Sequence, residues 1–339
     1  MTHREQMLRA LEFSQPDRIP VFYHRSPAGL FKHGQRLLDL FRAYPPDNYV
    51  PFERVPQPPP GTVSADGTYC EVWTDEWGTE WEHRVFGLQG APRGYPLRSL
   101  EDADAYTLPE APSTSDPGFA AERELAGRLK ADYLLFDGWI ILFEKLLELL
   151  PPEEVYVGLA ARDRRLLGLL DRVGDYWLSA IDHLLVKGAD VIMFGDDWGT
   201  QHGPMVSPAQ FRSLFSPWYR RLFEAVKSGG AKVLFHSCGR LDGIFDEIAD
   251  LEIDCIWHQV NCYDAAAFAA ECRRRRIAAF IHPDRQRLVP HGRPAEIREY
   301  IRAYADLYRS GGGIFYVEIE NDAPFENAEA LIKAVHEFA

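Results

Sequence analysis

Six short apolar runs recur along the chain from about residue 130 onward. They are "DYLLF" (Asp132–Phe136), "DVIMF" (Asp190–Phe194), "KVLFH" (Lys232–His236), "DCIWH" (Asp254–His258), "IAAFI" (Ile277–Ile281) and "GIFYV" (Gly313–Val317). Each has the length of a strand and is apolar on both faces, as a parallel strand covered on both sides must be. Most are rich in β-branched and aromatic residues. Amphipathic helical stretches lie between them. "SPAQFRSLFSPWYRRLFEAVKSGG" carries an N-cap candidate at Ser207, a proline in the first helical position and a stop at Gly229. "RPAEIREYIRAYADLYRSGG" repeats that logic with Pro294 and Gly311, and a last helix starts near Pro324. Two earlier runs, "IPVFY" (Ile19–Tyr23) and "NYVPF" (Asn48–Phe52), bring the count of β-runs to eight. Eight β-runs with helices between them predict an α/β fold, a closed (β/α)8 barrel. The alternative is an open doubly wound sheet, but no G-x-G-x-x-G follows a strand to support a dinucleotide site there.

Residues 68–86, "TYCEVWTDEWGTEWEHRVF", alternate aromatics with charges. That pattern predicts an antiparallel hairpin outside the barrel, an insertion of about residues 68–90. Trp73, Trp77 and Trp81 are four apart and would share a helix face, but Gly78 between them favours the hairpin. No internal repeat or long low-complexity tract interrupts the chain. Residues 1–339 therefore read as one barrel domain with an N-terminal extension and the hairpin insertion.

Composition narrows the function classes. The chain has 339 residues, 46% hydrophobic and 26% charged, and a formal net charge of −14. Such a surface repels phosphate backbones. The single basic run, Arg273–Arg276, reads as a solvated helix end rather than a nucleic-acid patch. Five cysteines, an odd number with no CxxC pair, argue against a disulfide framework and for a reducing compartment. No apolar run reaches the ~18 residues of a membrane span, and the N-terminus has no secretory h-region. The expectation is a soluble cytoplasmic protein that binds neither nucleic acid nor membrane.

In a barrel, functional groups gather at the C-terminal strand ends. Polar residues close six of the eight runs: Tyr23, His24 and Arg25; Asp196, Asp197, Trp198 and Gln201; His236 and Cys238; His258 and Gln259; His282, Asp284 and Arg285; Glu318 and Glu320. This convergence points to an enzyme. By the two-residue period of a strand, Leu234, His236 and Cys238 share one face, as do Tyr316, Glu318 and Glu320. The opposite face of the last run, Phe315, Val317 and Ile319, is wholly apolar and should pack under helices, aiming the two glutamates at the barrel mouth. Carboxylates crowded there call for a cation. Imidazole, thiolate and carboxylate form a zinc set with an open fourth position; the competing reading of His236 and Cys238 is a hydrogen-bonded histidine beside a buried thiol. Asp196 and Asp197 read as an acid–base or substrate-binding pair, or as one residue capping the following turn. Tyr23 joins them as a catalytic candidate. His24, Arg25, Trp198, Gln201, His258 and Gln259 are the cleft-lining candidates, with packing as the alternative for Trp198. Asp284 and Arg285 read as an ion pair holding a loop.

Taken in order, "RIPVFYHR", "TDEWGTEW", "GADVIMFGDDWGTQ", "FHSCGRLDGIFDEI", "HPDRQRLVPHG" and "VEIENDAPFENAEALI" resemble the uroporphyrinogen decarboxylase superfamily over essentially the whole chain. The resemblance implies a barrel with its site at the strand C-termini and one of two chemistries. One is cofactor-free decarboxylation of uroporphyrinogen acetate groups; the other is methyl transfer between a corrinoid, protein-bound or free, and a thiol or tetrahydrofolate. The decarboxylase branch carries R-Q-A-G-R after its first strand. Here "HRSPAGLFKHG" keeps Arg25, places Gly29 or Leu30 at the second arginine and has Lys32 as the next cation, which is poor recognition for eight carboxylates. The methyltransferase branch carries H-x-C and a later cysteine on the last strand. His236 and Cys238 match the first half; "VEIEND" has no cysteine, and Glu318, then Glu320, stands nearest the expected place. The resemblance thus implies a zinc-dependent methyltransferase holding Zn2+ with His236, Cys238 and Glu318, or a site that has lost its metal. Its alternatives are a porphyrinogen decarboxylase and a noncatalytic corrinoid- or tetrapyrrole-binding protein.

Overall fold

The computed structural model describes residues 1–339 and contains ten strands. They are β1 (Val21–Tyr23), β2 (Glu71–Thr74), β3 (Glu80–His83), β4 (Ala91–Gly94), β5 (Phe136–Ile140), β6 (Val191–Gly195), β7 (Lys232–Ser237), β8 (Cys255–His258), β9 (Ala278–Ile281) and β10 (Gly313–Val317). Seven form one curled, all-parallel sheet in the order β1-β10-β9-β8-β7-β6-β5, with helices between successive strands. The aromatic and charged insertion forms a separate antiparallel sheet, β2-β3-β4, with Trp73 opposite Trp81. The expected hairpin is present, and a third strand is added to it.

Both faces of the parallel sheet are buried, as the unbroken apolar runs require. Phe22, Leu234, Phe280 and Tyr316 point into the barrel lumen, where the first helix, His3–Leu11, inserts Met7, Ala10 and Leu11. Val233, Phe235, Phe315 and Val317 point outward under the helices. Each fully buried aromatic or branched side chain contributes roughly 1.5–3 kcal/mol. The alternation places His236 and Glu318 on the lumen side of their strands. The basic run ends the helix Ala265–Arg275, where Arg275 pairs with Glu271, Asp246 and Asp250.

Two expected strands differ. Asn48–Phe52 forms none. Pro51 cannot donate to a ladder, and the two preceding polar residues take over the edge of β1 with their side chains. The Asp47 carboxylate accepts the Val21 N–H at 2.8 Å. The Asn48 amide accepts from the Tyr23 N–H at 2.8 Å and donates to the Tyr23 carbonyl at 3.0 Å. β1 and β5 are therefore not paired, and the barrel wall is open between them. The other difference is β5, which begins at Phe136, where the apolar run "DYLLF" ends. Its ladder to β6 shifts register between Asp137 and Ile140, at Gly138, whose φ of +79° a side chain would resist. A β-carbon there would also meet Leu184 at 2.8 Å. The bulge turns Trp139 toward the barrel mouth.

Candidate functional site

At the C-terminal ends of the strands lies a polar cavity of about 190 Å3, whose walls include Asp197, His236, Cys238, Glu144, Arg285 and Glu318. The loops after β6 and β7 are stitched together beside it. The Trp198 N–H donates to Ser237 Oγ at 2.9 Å, the Arg240 N–H to the Thr200 carbonyl at 2.8 Å, and the Cys238 N–H to Asp197 Oδ1 at 2.7 Å. The joint needs two glycines. A β-carbon on Gly239 would stand 2.2 Å from the Gly199 carbonyl oxygen, and one on Gly199 would stand 2.5 Å from the Arg240 carbonyl oxygen. "DDWGT" and "HSCG" thus fold as one unit that carries Asp197 to the strand-end histidine and cysteine.

One donor atom from each of Asp197, His236 and Cys238 lies within 4.8 Å of the others. His236 Nδ1 stands 2.9 Å from the Trp257 carbonyl oxygen. A carbonyl only accepts, so Nδ1 carries the proton and Nε2 is directed at the cluster. Nε2 is 3.3 Å from Asp197 Oδ1 and 3.5 Å from Cys238 Sγ. An imidazole lone pair, a carboxylate and a sulfur thus converge, an arrangement that a cation between them would satisfy. Thiolate, imidazole and carboxylate are the ligand types of zinc, and three protein ligands leave one position for substrate. The residues fit such an ion. Burial alone would raise the Asp197 carboxyl, but His236 and the Cys238 N–H hold it below its ordinary value. Burial, then the Asp197 charge, pushes the Cys238 thiol up to about 12 in the metal-free protein.

Glu318, expected as the carboxylate ligand, lines the same cavity but lies outside that cluster. Its carboxylate meets His24 Nδ1 at 3.0 Å. Burial would raise its pKa; the hydrogen bond and charge of His24, with His282 and Arg285, outweigh this and pull it to about 2. Glu320 pairs with Arg285 at 2.8 Å. Arg285 therefore does not pair with its neighbour Asp284, which instead accepts the Gln286 and Arg287 N–H groups.

Three other candidates lie outside the polar cavity. Asp196 is fully buried away from the cavity and accepts the Leu142 N–H at 2.6 Å, the Glu144 N–H at 2.8 Å and the Tyr219 hydroxyl. It caps the start of the helix Phe143–Leu149 from across the sheet. Tyr23 is 1% exposed, and its hydroxyl meets His336 Nε2 on the last helix at 2.8 Å, outside the polar cavity. Trp198 is fully buried, stacked on Phe143 and edge-on to Phe211 and Phe215. A side chain following an exposed-looking "DD" became core because the loop after β6 folds back under the helices.

The remaining candidates are peripheral or shared. His258 lines the cavity and stacks on Phe268, with its Nδ1 unpartnered. Gln259 lines it too and accepts the Gly239 N–H at 2.8 Å; Gln201 is exposed, donates to Gln259 at 3.1 Å and accepts from the Cys262 thiol at 3.6 Å. His24 and Arg25 border a second cavity of about 450 Å3 in the lumen, walled by Phe22, Phe136, Phe280 and Tyr316. Barrel lumens are normally filled by side chains; this one borders the gap between β1 and β5.

Sequence reasoning missed Glu144 and Trp139. Glu144 lines the polar cavity, and burial with repulsion from Asp196 and Asp197 raises its pKa well above the ordinary carboxyl range. Trp139 lies between Gly195, where a β-carbon would meet its ring at 2.1 Å, and His236, 5.6 Å away between ring centres. The Asp137-Gly138 pair just before it was the available signal, since glycine inside a strand marks a bulge.

A family model described as uroporphyrinogen decarboxylase (URO-D) matches residues 156–338, which span β6 to the last helix. The chain belongs to the uroporphyrinogen decarboxylase family. Among solved structures, a methyltransferase from Methanosarcina mazei superposes on this URO-D family protein with a TM-score of 0.66, at 17% identity, over 100% of this chain and 99% of its own. That likeness establishes a shared fold across the full length. An endo-β-1,4-xylanase from Gloeophyllum trabeum gives a TM-score of 0.43 at 11% identity, over 66% of this chain and 82% of its own. No curated protein matches the sequence.

Proposed function

We propose that this URO-D family protein is a zinc-dependent methyltransferase that moves a methyl group between a corrinoid, protein-bound or free, and a thiol or tetrahydrofolate acceptor. The observation that carries the reading is the convergence of Asp197, His236 and Cys238 at 4.8 Å or less on the wall of an open polar cavity. These three residues would hold the ion, Asp197 taking the part the motif comparison gave to Glu318. Bound zinc would supply Lewis acidity, holding an acceptor thiol as the thiolate or polarising a folate. The corrinoid follows from the H-x-C resemblance, and a methyltransferase of the same fold is consistent with it.

The chain's own groups have definite tasks in this reading. The Trp257 carbonyl orients His236, and the Cys238 N–H orients Asp197. Glu144, with its raised pKa, is the cavity acid able to hold a proton at neutral pH. Trp139 and Trp257 flank His236 and keep water from that side. The same cavity argues against the decarboxylase reading. Arg285 is the one arginine on its wall and is already paired with Glu320, while Asp197, Glu144 and Glu318 would face a polycarboxylate substrate. No helix is long and apolar enough to cross a membrane, and all five cysteines are unpaired.

The test is demethylation of methylcobalamin by zinc-loaded protein, followed by corrinoid absorbance with thiol and tetrahydrofolate acceptors. Turnover that chelation abolishes and zinc restores is expected. Absence of zinc-dependent turnover with every acceptor tried, or chelator-insensitive decarboxylation of a porphyrinogen, would overturn the reading.

A further inference from the structure

Five of the chain's eight tryptophans surround one groove. Trp73, Trp77 and Trp81 come from the β2–β3 insertion, Trp139 from the β5 bulge and Trp177 from the long helix Arg164–Lys187. The groove encloses about 350 Å3 and shares Trp139 and Gln89 with the polar cavity. We propose that it binds a small quaternary ammonium compound or an equally methylated organic cation.

Three of the five indoles have their N–H groups engaged and offer the groove only their rings. Trp73 Nε1 donates to His83 at 2.9 Å, Trp81 Nε1 to Asp75 at 2.9 Å and Trp177 Nε1 to the Ile141 carbonyl at 2.7 Å. An anion or hydrogen-bond acceptor therefore finds few free donors, whereas a cation finds electron-rich faces. Charge points the same way. Lys145 and Glu148 pair with each other, leaving Asp75 and Glu76 without an ion-pair partner at the same groove. Asp75 already accepts the Trp77 and Thr79 N–H groups as well as Trp81, so it supplies a negative field rather than an open hydrogen-bonding site. A cation lacking N–H donors matches that arrangement better than a primary amine. The groove already contains one instance of the contact, with the Lys145 ammonium 4.6 Å from the Trp77 ring centre. Trp73 and Trp139 remain 48% and 41% exposed, an unusual outlay of indole surface that such a ligand would cover. The assignment rests on the groove alone and requires neither bound metal nor methyl transfer.

The experiment titrates the full-length, metal-free protein with choline, and in parallel with its uncharged isostere 3,3-dimethylbutan-1-ol, following tryptophan fluorescence and calorimetric heat. Saturable choline binding is expected, with the isostere about 10-fold weaker or more, the scale of a partly desolvated cation–π contact. Trp73→Ala and Glu76→Gln alter exposed side chains and should retain the wild-type unfolding midpoint. Trp73→Ala should weaken choline about 5-fold or more, and Glu76→Gln should reduce both the affinity and its salt dependence. Equal binding of the isostere, absence of saturable choline binding, or unchanged affinity in Trp73→Ala would overturn the proposal.

Discussion

Asp197→Asn separates the metal set suggested by motif comparison from the one assembled in three dimensions. The amide keeps an oxygen to accept the Cys238 N–H now bonded at 2.7 Å, so the β6–β7 loop joint should survive. What is lost is one negative charge inside a cluster whose donor atoms lie within 4.8 Å of each other. Opposite unit charges about 4 Å apart interact by ~4 kcal/mol at the effective dielectric of a protein surface, part of which is returned when the carboxylate no longer needs desolvating. A net loss of ~3–4 kcal/mol corresponds to roughly 10²–10³-fold weaker zinc binding. Glu318→Gln should stay near the wild-type affinity, because its carboxylate is engaged by His24 at 3.0 Å rather than by the cluster. Competition against a chromophoric chelator at fixed pH measures both variants, and thermal unfolding of the metal-free proteins checks their folds. Zinc affinity within about threefold of wild type for Asp197→Asn, alongside a hundredfold loss for Glu318→Gln, would refute the geometric assignment and restore the sequence-based one.

Asp196→Ala leaves the Leu142 and Glu144 N–H groups and the Tyr219 hydroxyl without an acceptor, so a loss of ~3 kcal/mol in urea unfolding is expected, with zinc affinity of the folded fraction unchanged. Gly239→Ala forces a side chain onto a φ of +74° and against the Gly199 carbonyl; it should destabilise by ~2–4 kcal/mol and weaken zinc as the loops part. Burial lowers His258 to about 3 in the folded, metal-free protein. Above the unfolded value near 6.5 neither state is protonated and this residue has no effect; as pH falls from there toward 3 the unfolded chain takes up the proton and stability drops. His258→Phe should therefore flatten the acid limb of the stability–pH curve by ~1.4 kcal/mol per pH unit at most between about 6.5 and 3. Parallel slopes for the two proteins would show that His258 is not held neutral.

Six of the seven barrel strands were legible as apolar runs because a parallel strand buried on both faces advertises itself by composition alone; β5 shares only Phe136 with the run read for it. The same local rule, alternation along a strand, set His236 on the lumen side beside Leu234 and placed Cys238 at the site. It failed where local pattern and tertiary demand part company. Asn48–Phe52 looked like a strand, yet two polar side chains satisfy the edge of β1 in its place. Asp196 and Asp197, adjacent and chemically identical, ended as a buried helix cap and a cavity-lining carboxylate, a choice set by which loop each side chain faces after the chain folds back. Trp198 and Tyr23 stood at strand ends as a cleft-lining and a catalytic candidate, yet both are buried against segments far away in sequence, Trp198 on Phe143 and Tyr23 on His336.

The amino-acid sequence by itself determined the barrel class, the insertion of aromatic hairpin residues and two donors of the candidate metal site, since each depends on spacing within a few neighbouring residues. The tertiary structure alone decided the third donor, the gap between β1 and β5 and the gathering of five tryptophans around one groove. These depend on contacts between segments tens of residues apart, whose relative positions are set by packing and by close backbone approach at Gly199 and Gly239, and no local periodicity encodes them.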